Sequence, residues 1–308
     1  MFESKVTDPH YWVIRGQLLA SIRNFFQHIG IMEVQTPLAY SVPPCDPYLD
    51  AFLVQTQQGA SYLQTSPEYA MKRLLANGSK SIYQICPAFR DEPADQWHQP
   101  EFTILEWYQV ECDEYALMQT VSQLLQTIWS DQLTIEHCSY QMLFETYLGI
   151  NPHTASRSTL QSLCHKYLGK IQGLAEPNCV DCLDLLFTTV IEPALAKRDA
   201  DVVFVTHYTQ AQAALARLGH DDQGQVVARR FEVFYQGIEL GNGYYELNDA
   251  AEQRQRFQAD LATRAQLYKP QVPLDEQLLA VTDQIPPCAG IAMGFDRLVA
   301  CYLQQTQL

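Results

Sequence analysis

Arg90 and Glu92, followed after a short loop by His98, Phe102, Glu106 and Tyr108, are the residues of this chain best suited by type and spacing to chemistry. The segment reads Phe89-Arg90-Asp91-Glu92, then His98-Gln99-Pro100-Glu101-Phe102-Thr103-Ile104-Leu105-Glu106-Trp107-Tyr108, and predicts two strands joined by a loop. Side chains alternate along a strand, so Arg90 and Glu92 are expected on one face of the first strand. Phe102, Ile104, Glu106 and Tyr108 are expected on one face of the second. The planar guanidinium of an arginine grips a phosphate and a carboxylate together. A phenylalanine offers a flat surface to adenine, and a glutamate accepts from an amino group. Together these groups would hold ATP beside a small cationic substrate. Standing alone, such a hairpin is more often a solvated amphipathic element, but two further segments argue otherwise.

The first is Arg230-Phe231-Glu232-Val233-Phe234-Tyr235-Gln236-Gly237-Ile238-Glu239-Leu240-Gly241-Asn242-Gly243-Tyr244-Tyr245-Glu246-Leu247-Asn248. Gln236-Gly237 predicts a hairpin turn. A two-residue turn makes Glu232 and Glu239 diagonal neighbours on one face, roughly 7–8 Å apart, whereas a four-residue loop sets them directly opposite. Either register suits carboxylates that bind Mg²⁺ on a triphosphate. Asn242, Tyr244 and Glu246 share a face by alternation, but in an unbroken strand they would point away from Glu239. A glycine bulge adds a residue and switches the parity, so a bulge is expected at Gly241–Gly243.

The second is Gly290-Ile291-Ala292-Met293-Gly294-Phe295-Asp296-Arg297, which passes from an apolar strand into a helix. Its glycines permit close approach of a ligand or a neighbouring backbone. A helix beginning near Asp296 directs free N–H groups towards an anion, and Arg297 would reach phosphates or stack on adenine opposite Phe102.

The elements that must position these groups follow from periodicity. Ile14, Leu18, Ile22, Phe25 and Phe26 form the stripe of a helix over 14–28, which Gly30 ends. Residues 31–37 read as a strand closed by Pro37, and 41–47 as a Pro-rich loop. A hairpin covers 51–64 with Gln58-Gly59 near its turn, and a helix follows Thr65-Ser66-Pro67 until Gly78. Helices are expected over 115–129 and 250–267, strands at 202–206, 230–247 and 289–293, and connecting material over 270–287. Residues 130–200 mix short helices and loops without readable chemistry. Strand pairs with irregularly interspersed helices predict an α+β fold built on an antiparallel sheet rather than a doubly wound one.

Bulk composition narrows the classes. The chain of 308 residues is 47% hydrophobic, enough for a large core, and has no run of membrane-span length. Its start lacks the basic-then-apolar pattern of an export signal, and nine scattered cysteines suit a reducing cytoplasm. The lone CxxC, Cys179 and Cys182, lacks the remaining ligands of a structural zinc site. Twenty basic against thirty-five acidic residues, a net charge of −15, argue against a broad nucleic-acid surface and fit a pocket that collects a cation or a metal-chelated nucleotide.

These segments, in this order, resemble the three signature motifs of the class II aminoacyl-tRNA synthetases, with lysyl-tRNA synthetase the nearest pattern. Thr65–Glu68, Phe89–Glu92, the His98–Tyr108 block, Gly237–Asp249 and Gly290–Arg297 all look like its catalytic domain, and Glu33–Pro37 looks like motif 1, which forms much of that class's dimer interface. Only about a dozen residues precede the motif 1 helix, so the anticodon-binding OB domain is expected to be missing and 1–308 to form a single catalytic domain. In that respect the chain resembles the truncated paralogues, the elongation factor P–(R)-β-lysine ligases. That family activates lysine, preferably (R)-β-lysine, with ATP and transfers it to a lysine side chain of elongation factor P.

The resemblance implies a role for each residue. Arg90 would bind the substrate carboxylate and α-phosphate, with Arg297 as the second catalytic arginine. Asp91, Glu92, His98, Gln99, Phe102, Glu239, Leu240 and Gly294 would join them around ATP. Glu232 and Glu239 would hold Mg²⁺. Ser66, Pro67, Glu68, Tyr108, Asn242, Tyr244, Glu246 and Ala292 would surround the amino-acid substrate, with Tyr108 and Glu246 at its distal ammonium. Gln99 stands where the family usually has Asn. It also implies a cytoplasmic homodimer with elongation factor P as protein substrate and no tRNA partner. A minimal lysyl-tRNA synthetase and a catalytically silent paralogue serving as a binding protein remain the alternatives; the lysine-type Tyr108 and Glu246 disfavour an ammonia-using asparagine synthetase.

Overall fold

Asp8 starts the first helix by accepting from the His10 amide, with Pro9 at the first helical position where its missing N–H costs nothing. The computed structural model describes residues 8–57, 59–129, 133–169 and 177–304. Helix α1 (Pro9–His28) buries Leu18, Ile22 and Phe26, and Gly30 leaves it at a left-handed φ of 74°. The strand expected over 31–37 shrinks to β1 (Met32–Glu33). Strands β2 (Ala39–Tyr40), β3 (Leu53–Thr56) and β4 (Gly59–Leu63) form a small antiparallel sheet; Gln58 of the expected turn lies outside the described residues. Helix α2 (Glu68–Ala76) follows Pro67, then come β5 (Ile82–Phe89), β6 (Glu101–Val110) and α3 (Glu114–Trp129).

Next come β7 (Ile135–Ser139), α4 (Tyr140–Leu148), α5 (Arg157–Leu168), α6 (Cys179–Leu186) and α7 (Glu192–Leu195). They precede β8 (Val202–Thr209), β9 (Leu218–His220), β10 (Val226–Tyr235) and β11 (Ile238–Tyr245). The chain closes with α8 (Ala250–Gln266), a short α9 (Glu276–Leu279) inside the stretch expected to be connecting material, β12 (Cys288–Gly294) and α10 (Phe295–Tyr302). None of the described helices is long and apolar enough to cross a membrane.

The backbone groups into two compact units, one of the described residues up to 129 and from 246, the other of those between 133 and 245. In the first, β1, β5, β6 and β12 lie side by side, with β5–β6 and β6–β12 antiparallel and β1 parallel to β5. Alternation divides the labour of β6. Trp107, paired with Tyr83, meets α1, where Phe26 stacks on Tyr83 at 4.3 Å and meets Trp107 edge-on at 5.3 Å. The opposite face carries Ile104, Glu106 and Tyr108 and packs with Met71 and Leu75 of α2.

In the second unit the order is β11, β10, β8, β7, with β9 also on β10. Its pairs are antiparallel except β7–β8. Leu143, Phe144, Leu183, Leu186 and Phe187 of the helical segment cover one face against Val203, Val205 and Phe234. The helices of 140–195, silent as sequence, are therefore the hydrophobic backing of this sheet. The α+β class expected from the irregular alternation holds, with parallel pairing at β1 and β7.

Candidate functional site

On the first unit, the register of β6 against its neighbours explains which side chains meet. Glu106 is paired with Gln84 and Ala292, and Tyr108 with Ile82 and Gly290. Directly paired residues share a face, so the glycine and alanine of β12 leave room above the sheet beside the two large side chains of β6. A Cβ on Gly290 would strike the Tyr108 ring and come within 2.7 Å of Glu246 Oε1. Only glycine permits that approach. Gly294 has no such constraint, for a Cβ there would make ordinary contact with Arg297 at 3.6 Å.

Glu68, Lys72, Glu106, Tyr108 and Glu246 form one buried polar cluster on this face. Tyr108 donates to Glu106 Oε1 at 2.7 Å, and the buried Glu106 Oε2 has no hydrogen-bond partner among the described residues. Lys72 reaches Glu68 one helical turn away at 2.6 Å and Glu246 at 2.7 Å. Its side chain is 3% exposed and that of Glu246 1%, while Glu68 keeps 21%. Burial, then the charge of Glu68, pushes the Glu106 carboxyl up to about 8, against the pull of Tyr108 and Lys72. Burial likewise lifts Glu246 to about 7, with Lys72 holding it down. Burial works against the Lys72 charge, but Glu246 and Glu68 more than offset it and keep the ammonium protonated. The cluster is thus a buried acidic site of low dielectric, suited to ammonium groups. Ser66 accepts from the Glu68 amide at 3.3 Å at the pocket's edge, and Pro67 precedes the helix that carries Glu68 and Lys72.

Arg90 and Glu92 depart from the strand expectation. Strand β5 ends at Phe89, and only the Arg90 amide, donating to Pro100 at 2.9 Å, extends the pairing. The Glu92 amide turns back onto Arg90 O at 2.9 Å, so a tight turn rather than alternation orients both side chains. The Arg90 guanidinium lies 5.0 Å from the centre of the Phe102 ring. The buried Oε1 of Glu92 has no hydrogen-bond partner among the described residues, an acceptor fitted to an amino group of a ligand. Exposed Asp91 is tied by its amide to Asp50 O at 2.8 Å.

His98 and Gln99 sit in the loop between β5 and β6. His98 Nδ1 lies 2.8 Å from Asp95, and Arg297 Nη2 reaches His98 Nε2 at 2.6 Å and donates through Nε to Trp97 O at 3.3 Å. Gln99 donates to Asp95 O at 3.5 Å. Arg297 thus tethers the loop that carries the histidine. Asp296 is structural: it accepts from Arg15 at 2.5 Å and from the Thr103 amide at 2.6 Å, locking α10 to α1 and β6.

On the second unit, Tyr235 pairs with Ile238, and Gln236 and Gly237 take left-handed φ values of 47° and 81°. The hairpin turn expected at Gln236-Gly237 is thus the two-residue form of the two alternatives, and Gly237 is further required because a Cβ would meet Ala196 Cβ at 2.7 Å. Glu239 is opposite Phe234 and therefore diagonal to Glu232 on the same face. The bulge falls earlier than expected. Val233 pairs with Gly241 and Phe234 with Glu239, so Leu240, buried at 1% exposure, is the extra residue. Its consequence is the anticipated one: Asn242 pairs with Glu232 and Tyr244 with Arg230, on the Glu239 face.

Glu232 accepts from Tyr208 at 2.6 Å and from Arg230 at 2.5 Å. Arg230 also donates to Asn242 Oδ1 at 3.2 Å and to Gln212 O at 2.8 Å. Gln212 in turn donates to Asp184 at 2.7 Å and Tyr140 at 3.2 Å, tying the carboxylate to α6 and α4. Burial raises the Glu232 carboxyl, Arg230 opposes, and Glu239 adds to the rise. Two carboxylates diagonal on one sheet face are a donor set that would suit a divalent cation.

Sequence reading passed over Lys72 and left Glu106 out of the substrate contacts. Both had a signal: Lys72 stands four residues after Glu68, and Glu106 two before Tyr108 on one strand face.

The chain matches the family model of class II tRNA synthetases (D, K and N) over residues 10–308. An elongation factor P–(R)-β-lysine ligase of Haemophilus ducreyi is 40% identical over 304 residues, 96% of this chain and 90% of the relative. The protein of that name from Edwardsiella ictaluri is 42% identical over 301 residues, 96% of this chain and 91% of the relative. That from Pasteurella multocida is 40% identical over 310 residues, 97% and 94%.

Proposed function

The chain belongs to the class II tRNA synthetases of the D, K and N type and, within them, to the elongation factor P–(R)-β-lysine ligases, and from that premise we propose that it attaches (R)-β-lysine or lysine to a lysine side chain of elongation factor P through an adenylate formed from ATP. The observation that carries the amino-acid assignment is the carboxylate cluster of buried Glu106 and Glu246 and half-buried Glu68 beside Tyr108. An uncharged competitor would leave the three carboxylates with the single counter-charge of Lys72, which a buried site tolerates poorly.

The substrate carboxylate attacks the α-phosphorus of ATP, forming the aminoacyl-adenylate and releasing pyrophosphate. Arg90 aligns the carboxylate with the α-phosphate, and Arg297 neutralises charge on the nucleotide. Phe102 receives adenine, Glu92 accepts from its amino group, and His98 and Gln99 contact the triphosphate. Asp91, Leu240 and Gly294 border the nucleotide. Glu232 and Glu239 are the residues that would hold Mg²⁺, which would supply further neutralisation of the phosphates. Ser66, Pro67, Asn242, Tyr244 and Ala292 complete the amino-acid contacts. A neutral lysine amine of elongation factor P then attacks the adenylate carbonyl and releases AMP. No side chain of the ligase acts as a nucleophile.

Residues 1–308 act as one catalytic domain in the cytoplasm, working as a homodimer and not charging tRNA. Exposed Trp12, Val13 and Ile29 on and just after α1, with Met32 of β1, support a partner copy at the motif 1 region.

Amino-acid-dependent ATP–pyrophosphate exchange with α-lysine, (R)-β-lysine and asparagine tests the activation step. Exchange with the lysine-type substrates alone is expected. Exchange with asparagine alone, or with none of them, would overturn the reading.

A further inference from the structure

The amino-acid pocket contains a cation of its own. Lys72 is nearly inaccessible, and its ammonium is clamped by Glu68 from its own helix and by Glu246 from the segment after β11. A buried ammonium costs several kcal/mol of desolvation and is retained only where paired charges offset it. Proteins seldom place one in an acidic pocket whose task is to bind another ammonium, because the two cations repel. The charge count resolves this. Once a bound ammonium has ionised them, Glu68, Glu106 and Glu246 supply three negative charges, and Lys72 cancels one of them. Two negative charges remain for the ligand, the number that balances an amino acid bearing two ammonium groups.

We propose that Lys72 is a positioning and specificity-determining residue of the amino-acid pocket: a built-in counter-ion that fixes Glu68 and Glu246 in place and sets the pocket's net charge to match a diammonium substrate. This inference rests on the proposed function and adds a residue to it. Lys72 stays bound when the substrate enters; the substrate's own ammonium groups take the remaining carboxylate capacity, including the Glu106 Oε2 that has no hydrogen-bond partner among the described residues. The groups facing the cluster are Glu68 and Lys72 from α2, Glu106 and Tyr108 from β6, Glu246, Cys86 from β5 and Tyr40 from β2. β12 contributes Gly290 and Ala292, which do not titrate, and on the same face the buried Cys288 thiol, which packs in one cluster with Tyr108. Lys72 is the cation that lowers the affinity of both Glu106 and Glu246 for protons. Without it, protons compete better with the substrate's ammonium groups.

The test is Lys72→Met, close in shape and uncharged, assayed by pyrophosphate exchange across about pH 6.5–9. KM for (R)-β-lysine or lysine should rise roughly 100-fold or more at neutral pH, the scale of breaking a buried pair, and should recover towards the alkaline end while kcat changes little. Lys72→Ala with added ethylammonium is a second arm: the small cation should restore low KM, and ethanol, neutral and of similar size, should not. A Met variant with the wild-type KM profile, or an Ala variant rescued equally by ethanol, would overturn the inference while leaving the function standing. Wild-type protein without lysine-dependent exchange would overturn both.

Discussion

Glu246→Gln is expected to lower kcat/KM for lysine-type amino acids by roughly 1,000-fold while leaving KM for ATP within about threefold of wild type. Glu246 is 1% exposed and pairs with Lys72 at 2.7 Å, so the amide removes the counter-charge of the substrate and strands part of the Lys72 charge as well. Breaking a buried pair by neutralising one member costs about 3–5 kcal/mol, which sets the size of the loss. The same residue gives the reaction a proton signature. Burial raises Glu106 to about 8 and Glu246 to about 7 in the ligand-free protein, so near neutral pH Glu106 holds its proton and Glu246 is only partly ionised beside Lys72. An incoming ammonium favours their ionised forms, and binding should therefore release protons. Calorimetry in two buffers of different ionisation enthalpy reads this directly. Proton uptake on binding would contradict the account, as would a Glu246→Gln protein that releases as many protons as wild type.

The same shifts act on folding. A carboxyl raised on folding binds more protons in the native state than in the unfolded one. Its stabilisation is complete below the ordinary glutamate range and is lost as pH rises through about 7 and 8. Substrate offsets that loss, so its stabilising effect should grow with pH over the window in which its own amines stay charged.

Gly290→Ala is the second large effect. The added methyl strikes the Tyr108 ring and lies 2.7 Å from Glu246 Oε1, and Tyr108 and Glu246 are 3% and 1% exposed. Neither can swing into solvent, so strand β12 or the two side chains must shift. Overpacking of this kind costs about 1–3 kcal/mol of stability. A displacement near 1 Å at positioning groups costs about 100-fold in rate. Melting temperature and exchange kinetics separate the two consequences: a modest fall in the former with a large fall in kcat/KM is expected. Full activity in a folded Gly290→Ala protein would show that Tyr108 and Glu246 are not held against this glycine.

Much of this arrangement was legible in the amino-acid order because it depends on local rules. Period-two alternation put Phe102, Ile104, Glu106 and Tyr108 on one face of β6, and Gln236-Gly237 announced a turn that only left-handed φ values close. The need for a parity switch before Asn242 was equally legible, but its place was not. A bulge settles where packing favours it, here on buried Leu240 rather than on the glycines that follow. Alternation misled at Arg90 and Glu92, because β5 stops at Phe89 and the Glu92 amide closes a turn onto Arg90. Long-range contacts left the weakest trace. Nothing in the spacing of Asp184, Gln212 and Arg230 reveals that they form one chain of hydrogen bonds to Glu232. Lys72 meeting Glu246 depends likewise on a tertiary approach of segments far apart in sequence.

An elongation factor P ligase and a lysyl-tRNA synthetase part at the acceptor of the activated amino acid, a protein in one and RNA in the other. The most direct measurement is the intact mass of purified elongation factor P after incubation with the enzyme, ATP, Mg²⁺ and (R)-β-lysine, with lysine tRNA as the parallel acceptor. A mass increase of one lysyl group on the protein, localised to a lysine side chain, and no charged tRNA are expected. Charged tRNA with unmodified elongation factor P would contradict this expectation and identify the chain as a minimal lysyl-tRNA synthetase.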